Sequence, residues 1–466
     1  MAEAHELSKQ LERAASTIEA CSERRALLAS HYDADGLSAA SILLKALASR
    51  GFVVHLLILE QMTPSSLGRL QALASDYPLT LLSDMGSGSV RELSKLKTTV
   101  VVLDHHLPQG AGEGVVEVNP HRCGIDGSRE VSSSGLAYLL AKELLGEEAV
   151  DFAPLAIVGA LGDRQDVGER FRLIGVNRMI VREAVEAGLI EERIDLRLFG
   201  GPARPIVKAL AYTTDPFLPG LTGDEGNAFS FLKSINIEPA SGDKHRTLGE
   251  LTKEERRKLA SELVKLMLKY GYTASEAERI YGASYVILGE APDSPLRDAR
   301  EYAQLLNASG RIGSYDVAVA LCLGARGDLL LKAINVAAQY RSLLSRAFKC
   351  VREEKPIRES ERLMLVDLRG RSFLNERVSG ALASLLLPYV KSGKLLLVAL
   401  DSPDGIKISA RRADGPQVVV GEVLRKAAEK VGGVGGGHER AGGATIPAGK
   451  LEDFLAEVER VMSTGA

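Results

Sequence analysis

Residues 31–36 read HYDADG, so one imidazole and two carboxylates stand at alternate positions as His31, Asp33 and Asp35. Three further groups of the same chemistry follow: Asp84 in SDMGSG, Asp104-His105-His106 in DHH, and Asp163 in GDRQD. Crowded carboxylates repel one another unless cations neutralise them. Four aspartates with one or two histidines suit two divalent cations. Oxygen ligands fit Mn²⁺ or Mg²⁺, and imidazole tilts the choice towards Mn²⁺. Two such ions about 3.5–4 Å apart clamp a phosphate, activate a water and stabilise the leaving oxygen. Each piece is ordinary by itself, because a lone DxD is most often a solvated turn. It is their joint recurrence that points to a metal-dependent hydrolase.

The elements that must position these groups are short apolar runs. ALLAS (26–30), FVVHLLIL (52–59), LTLLS (79–83) and TTVVVL (98–103) read as strands covered on both faces. Helical stretches such as LSAASILLKALASRG (37–51) lie between them, and this alternation means a parallel α/β sheet. Each acidic or imidazole group follows such a run, with PLAIVGAL taken as the one before Asp163. Ligands of open parallel sheets bind at the carboxyl ends of the strands, so motifs far apart in sequence converge there. A backbone extended through 31–35 would put His31, Asp33 and Asp35 on one face.

Beyond about residue 180 the pattern turns mainly helical. LTKEERRKLASELVKLMLKYG (251–271) opens with a capping box from Thr252 to Glu255. A third region has strand candidates LMLVDL (363–368), KLLLVAL (394–400) and GIKISARR (405–412), then a helix over 420–430 and a glycine-dense loop. The length, 466 residues, implies two or three cores. The expected division is 1–180 for the parallel-sheet domain, 181–295 for a helical insert, 296–355 for connecting helices and 356–466 for a smaller α/β domain.

A net charge of −3 argues against non-specific coating of nucleic acid but leaves room for a basic channel, with RPIVK (204–208) and YRSLLSRAFK (340–349) as candidate lining. No Trp and 5% aromatic residues limit base stacking to a modest role. No apolar run reaches a membrane span and the N-terminus lacks a signal-peptide core, so a cytoplasmic protein without membrane contact is expected. The four cysteines form no CxxC pair and are expected to stay reduced.

DAD-Gly, SD, DHH and GD together resemble the motif series of the DHH phosphoesterases. GVGGGHERAGG (433–443) resembles the GGGHxxAAG loop of their associated substrate-binding domain, and LLNASGR (305–311) the LNAxGR stretch of RecJ-type nucleases. Overall the likeness is to archaeal RecJ-like proteins of the GINS-associated type. The resemblance implies Asp33, Asp35, Asp84, His105 and Asp163 as ligands of two Mn²⁺ (or Mg²⁺) ions, with Asp84 bridging. Asp104 would orient His105, and His106 would face the scissile phosphate. His31 stands two residues before the first Asp, where relatives place a histidine four before, and is left to bind metal, contact substrate or pack. Asn307 and Arg311 would hold the nucleic-acid backbone. Ser409, Arg411, His438 and the amides of Gly436 and Gly437 would grip a phosphate.

Within SSSG (132–135), Ser133 is read as a helix N-cap. The implied activity is a 5′→3′ exonuclease on single-stranded DNA, with RNA a further substrate class and with the GINS complex and the replicative helicase as partners. The alternatives are a phosphodiesterase of short RNA or cyclic dinucleotides, and a replisome scaffold.

Overall fold

The structure, a computed structural model, describes residues 2–202, 204–213, 216–242, 244–390, 393–412, 418–437 and 439–463. It divides into two compact units, Met1–Ala337 and Ala338–Ala466.

The first unit is built on five strands: β1 (Arg25–His31), β2 (Val53–Leu59), β3 (Leu79–Ser83), β4 (Thr99–Leu103) and β5 (Val115–Val118). All pair in parallel, in the order β2-β1-β3-β4-β5. Four of these strands sit where the apolar runs predict them. The fifth, β5, is not among the expected strands, since VVEV is too short to signal itself. β3 is buried along its whole length, whereas the edge strand β2 alternates exposed and covered positions. Leu27 and Ala29, Leu57 and Leu59, and Val100 and Val102 share one core at period two.

After β1 the chain crosses to β2 on one side, and β3 then pairs on the other. The carboxyl ends of β1 and β3 therefore flank a topological switch point, where a crevice must open. Register aligns Ser30 with Ser83 and Ser83 with Leu103, so His31, Asp84 and Asp104 emerge together.

Two expectations change here. PLAIVGAL belongs to the helix Ala153–Gly162, not a strand, and Asp163 is that helix's C-cap. A uniformly apolar run of that length has no period to separate strand from helix. The backbone is also not extended through 31–35: β1 ends at His31, Asp33 caps the helix Ala34–Ser49, and Asp35 lies in its first turn.

The stretch read as mainly helical also holds an antiparallel pair, β6 (Ile190–Leu196) with the strand Tyr281–Ile287. Beyond that pair a separate core runs from Leu198 to Ile280. Its helix Lys253–Lys269 opens with the Thr252–Glu255 box as read, Glu255 N–H donating to Thr252 Oγ1 at 3.1 Å and Thr252 N–H to Glu255 Oε2 at 2.9 Å. Arg246 adds two hydrogen bonds of 2.8 Å, which hold the Glu255 carboxyl down to about 2. A depressed carboxylate contributes stability above its unfolded pKa near 4.5 and loses it as pH falls towards 2. Glu255 is 24% exposed, so screening trims the gain. Glu255→Gln is expected to destabilise the first unit by about 1 kcal/mol at pH 7 and to match the wild type near pH 2 in urea unfolding at both pH values.

The second unit carries a six-stranded mixed sheet, with Leu363–Asp367 parallel to Leu395–Ser402 and the other neighbours antiparallel. The glycine-dense stretch read as a loop pairs as strands Val434–Gly437 and Ala441–Ile446. Glycines allow it: a Cβ on Gly421 would lie 2.3 Å from the Gly437 carbonyl, and one on Gly435 would lie 2.7 Å from the Leu424 carbonyl. The edge strand thus rests directly on the helix Val420–Lys430. Among the described residues, no helix is long and apolar enough to cross a membrane.

Candidate metal centre

Asp84 is the hinge of the site. It leaves β3 with φ 60°, a left-handed conformation that Asp tolerates better than most residues. This turns its carboxylate between two groups. Oδ2 lies 3.3 Å from His31 Nδ1, which also lies 3.0 Å from Asp33 Oδ2. Oδ1 lies 3.3 Å from His105 Nε2, which also lies 3.0 Å from Asp163 Oδ2. Donor atoms of His31, Asp33 and Asp84, of Asp35, His105 and Asp163, and of Asp84, His105 and His106 each fall within 4.8 Å of one another.

The donor set fits divalent cations. Both Asp84 oxygens and His105 Nε2 are buried and make no hydrogen bond. Buried polar atoms are ordinarily satisfied, and here the missing partner is one that two carboxylates and an imidazole can face at once. Electrostatics agree. Burial and the neighbouring Asp84 and Asp163 carboxylates push Asp35 up to about 8, so the bare cluster cannot hold all its negative charge. Burial works to lower His31 and His105, but adjacent aspartates outweigh it and raise both well above the ordinary histidine value.

Two of the candidate ligands, Asp35 and His105, are held from behind. Asp35 Oδ2 accepts from Ser133 N–H at 2.7 Å, and Oδ1 from Ser134 N–H and Oγ–H at 3.0 and 2.5 Å. The N-cap of that helix is Ser132, so the SSSG segment serves Asp35 and Ser133 is not the cap. His105 Nδ1 lies 2.7 Å from the Gly127 carbonyl, with Gln165 Nε2 at 3.3 Å. That bond fixes the ring and presents Nε2 to the cluster.

Asp104 does not orient His105. Its Oδ1 binds His106, accepting from the backbone N–H at 3.1 Å and lying 2.7 Å from Nδ1, while Oδ2 accepts from Ser87 N–H at 2.9 Å. β4 ends at Leu103, and in the irregular stretch that follows the Asp104 side chain turns to the residue after its neighbour. The His106 side chain is 43% exposed against 1% for His105, so His106 is the one that solvent-borne groups can reach. Asn119 and Gln165 escaped the sequence reading. Asn119 Nδ2 donates to Ser87 Oγ and the His106 carbonyl at 2.8 and 2.9 Å, and Gln165 Nε2 to the Gly127 carbonyl at 2.9 Å. Lone amides carry no pattern that would have exposed them.

Asn307 Oδ1 accepts from Ala34 N–H at 3.1 Å, so the helix Ala299–Ile312 is seated on the first motif. Gly310 makes the approach close, since a Cβ there would stand 1.9 Å from the Tyr32 carbonyl. Arg311 ends the same helix and its charge acts on Tyr32. In the second unit, Ser409 pairs with Gly443 and Gly443 with Gly436, forming one row across three strands. Ser409 Oγ lies 2.8 Å from Ser379 Oγ, and Arg411 donates to Ser384 Oγ and the Gly380 carbonyl at 3.1 and 3.2 Å. Gly437 is the next residue on that edge strand, and His438 lies outside the described residues.

Comparison with known proteins agrees with this architecture. The DHH family N-terminal domain matches residues 25–160, the DHH-CID domain 198–281 and the DHHA1 domain 365–464. An uncharacterized protein of Methanocaldococcus jannaschii, MJ0831, is 31% identical over 443 residues, 93% of this chain and 92% of that one. The chain belongs to the DHH family. This DHH protein is also 30% identical over 192 residues to the single-stranded-DNA-specific exonuclease RecJ of Thermus thermophilus, 39% of this chain and 27% of that protein.

The structure of that RecJ with Mn²⁺ superposes with a TM-score of 0.58 at 22% identity, over 98% of this chain and 55% of the RecJ chain. The DHH protein thus spans about half of the RecJ chain that it matches. CDC45 from Entamoeba histolytica superposes at 0.63 with 12% identity, over 98% of each chain. The chain shares the fold of RecJ, as the motif series implied.

Proposed function

We propose that this DHH protein is a two-metal phosphodiesterase that removes nucleotides from the 5′ end of single-stranded DNA. The observation that carries the reading is Asp84, whose two buried, unbonded oxygens face one ligand group each. His31, Asp33 and Asp84 would hold one Mn²⁺, and Asp35, His105, Asp163 and Asp84 the other. Bound there, such ions supply Lewis acidity and an activated water, and Mg²⁺ has the same ligand preferences.

The chain's own part is positioning and charge. Asp104 fixes the His106 ring through Nδ1. Burial works to lower the His106 pKa, but Asp104 raises it overall, and the exposed ring would donate to a phosphate oxygen. Arg311 would hold the strand backbone near the first motif. Ser409, Arg411, His438 and the amides of Gly436 and Gly437 would grip a further phosphate. A role beside the GINS complex and the replicative helicase belongs to the same proposal. It is supported by the likeness of the motifs to the GINS-associated type.

The test is cleavage with Mn²⁺ of strands labelled at either end, as DNA and as RNA, from two to forty nucleotides. The expected result is stepwise loss from the 5′ end of long DNA. Cleavage confined to dinucleotides would indicate a small-substrate phosphodiesterase. Metal binding with no cleavage would indicate a scaffold.

A further inference from the structure

Downstream of Asp163, the chain does something a simple connector would not do. Arg164 has φ 59°, and Arg170 and Phe171 have φ 52° and 58°, so three non-glycine residues in eight adopt left-handed conformations. Such positions persist only where surrounding contacts over-determine them. Between them lies Asp166, fully buried. Its Oδ2 accepts from Arg300 Nη2 at 2.7 Å and from Arg197 Nη2. Arg197 in turn lies over the Phe171 ring, 4.7 Å from its centre, and Arg279 lies 5.1 Å from the same ring. Gly282 admits the bend, since a Cβ there would meet the Arg170 carbonyl at 2.5 Å.

The partners of this knot come from four places: the residue just past β6, Arg279 just before the strand Tyr281–Ile287, that strand itself, and the helix whose Asn307 seats the first motif. Its near end is the metal centre. Asp163 faces His105 Nε2, and Gln165, one residue before Asp166, donates from Nε2 to the Gly127 carbonyl that holds His105 Nδ1. Gln165 is itself fixed, accepting from Asn177 Nδ2 at 2.6 Å.

We propose that Asp166 is a positioning residue for the metal centre. By anchoring segment 163–171 to Arg197 and Arg300, it fixes where Asp163 and Gln165 meet His105. The inference rests on the metal-centre reading. Removing the anchor deletes no ligand but shifts Asp163 and the Gln165 amide from the positions in which they meet the His105 site. Groups that orient ligands in this way typically govern ten- to hundredfold of metal affinity.

The test is calorimetric Mn²⁺ titration of the full chain. Asp166→Asn keeps the shape and removes the charge. Should that variant not fold, Arg300→Met carries the test, because it removes only the arm that is 15% exposed and keeps Arg197. Both are expected to bind Mn²⁺ about ten- to a hundredfold more weakly, with Arg300→Lys recovering most of the loss. Leu232→Ala, in the separate core between β6 and Tyr281–Ile287, should lower Tm and leave Mn²⁺ affinity unchanged. Wild-type affinity in Arg300→Met would overturn the inference. So would an equal weakening in Leu232→Ala. A wild type that binds no Mn²⁺ would remove the metal-centre reading and this inference together, whereas tight wild-type binding with unaffected variants would remove this inference alone.

Discussion

Asp84→Asn should abolish phosphodiester cleavage, with a loss of roughly a thousandfold or more, since in the proposed two-metal site it would remove a ligand shared by both cation positions. Asparagine is the informative substitution. At φ 60° an alanine would add backbone strain of its own, whereas Asn is at ease in that conformation and keeps the side-chain shape. The second readout is thermal. A cation that binds only the folded chain raises stability by about 2.7 kcal/mol at a hundred times its Kd. Mn²⁺ should therefore raise the wild-type Tm and leave the variant's unchanged. A Mn²⁺-dependent Tm rise that survives in Asp84→Asn would mean that the bridging role is wrong, whatever happens to activity.

The second large effect is expected at a residue with no side chain. A Cβ on Gly159 would lie 2.1 Å from Ser134 Oγ and 2.5 Å from Asp35 Oδ1. Gly159→Ala must push Asp35 out of place or part the helices Ala153–Gly162 and Ser133–Leu145. The expected result is a stability loss of about 1–3 kcal/mol together with loss of Mn²⁺ binding in the same titration. Gly68→Ala is the matched control. It lies inside the helix Pro64–Ala74 with nothing within 4 Å, and should be neutral or stabilising by up to about 1 kcal/mol. Unimpaired metal binding by Gly159→Ala would show that Asp35 tolerates displacement and is not a ligand.

These two sites mark what the sequence can and cannot disclose. Asp33, Asp35, Asp84, His105 and Asp163 were visible because chemistry-bearing residues recur after apolar runs, and parallel sheets gather such positions at one edge. The structure brings all five together, with His31 among them. Gly159, Asn119, Gln165 and Asp166 were not visible. Their work is to face a neighbour that arrives from elsewhere in the chain, and a contact of that kind leaves no period or spacing. The same limit misassigned Asp104: adjacency to His105 suggested a pair, and the backbone sends the two side chains apart. PLAIVGAL failed for a different reason, its composition being equally good for either buried element.

The antiparallel pair of β6 with Tyr281–Ile287 has a consequence for how this architecture can diversify. Leu196 lies opposite Tyr281, so the chain departs and returns at one point, and everything from Leu198 to Ile280 packs around its own core. Closing such a stem costs almost the same whether the excursion is long or short. The region behaves as a cassette: it can be lengthened, exchanged or trimmed to a turn while the ligands upstream keep their places, provided that Arg197 stays with the stem. Lineages that share this acidic cluster can thereby acquire different attachments without redesigning it.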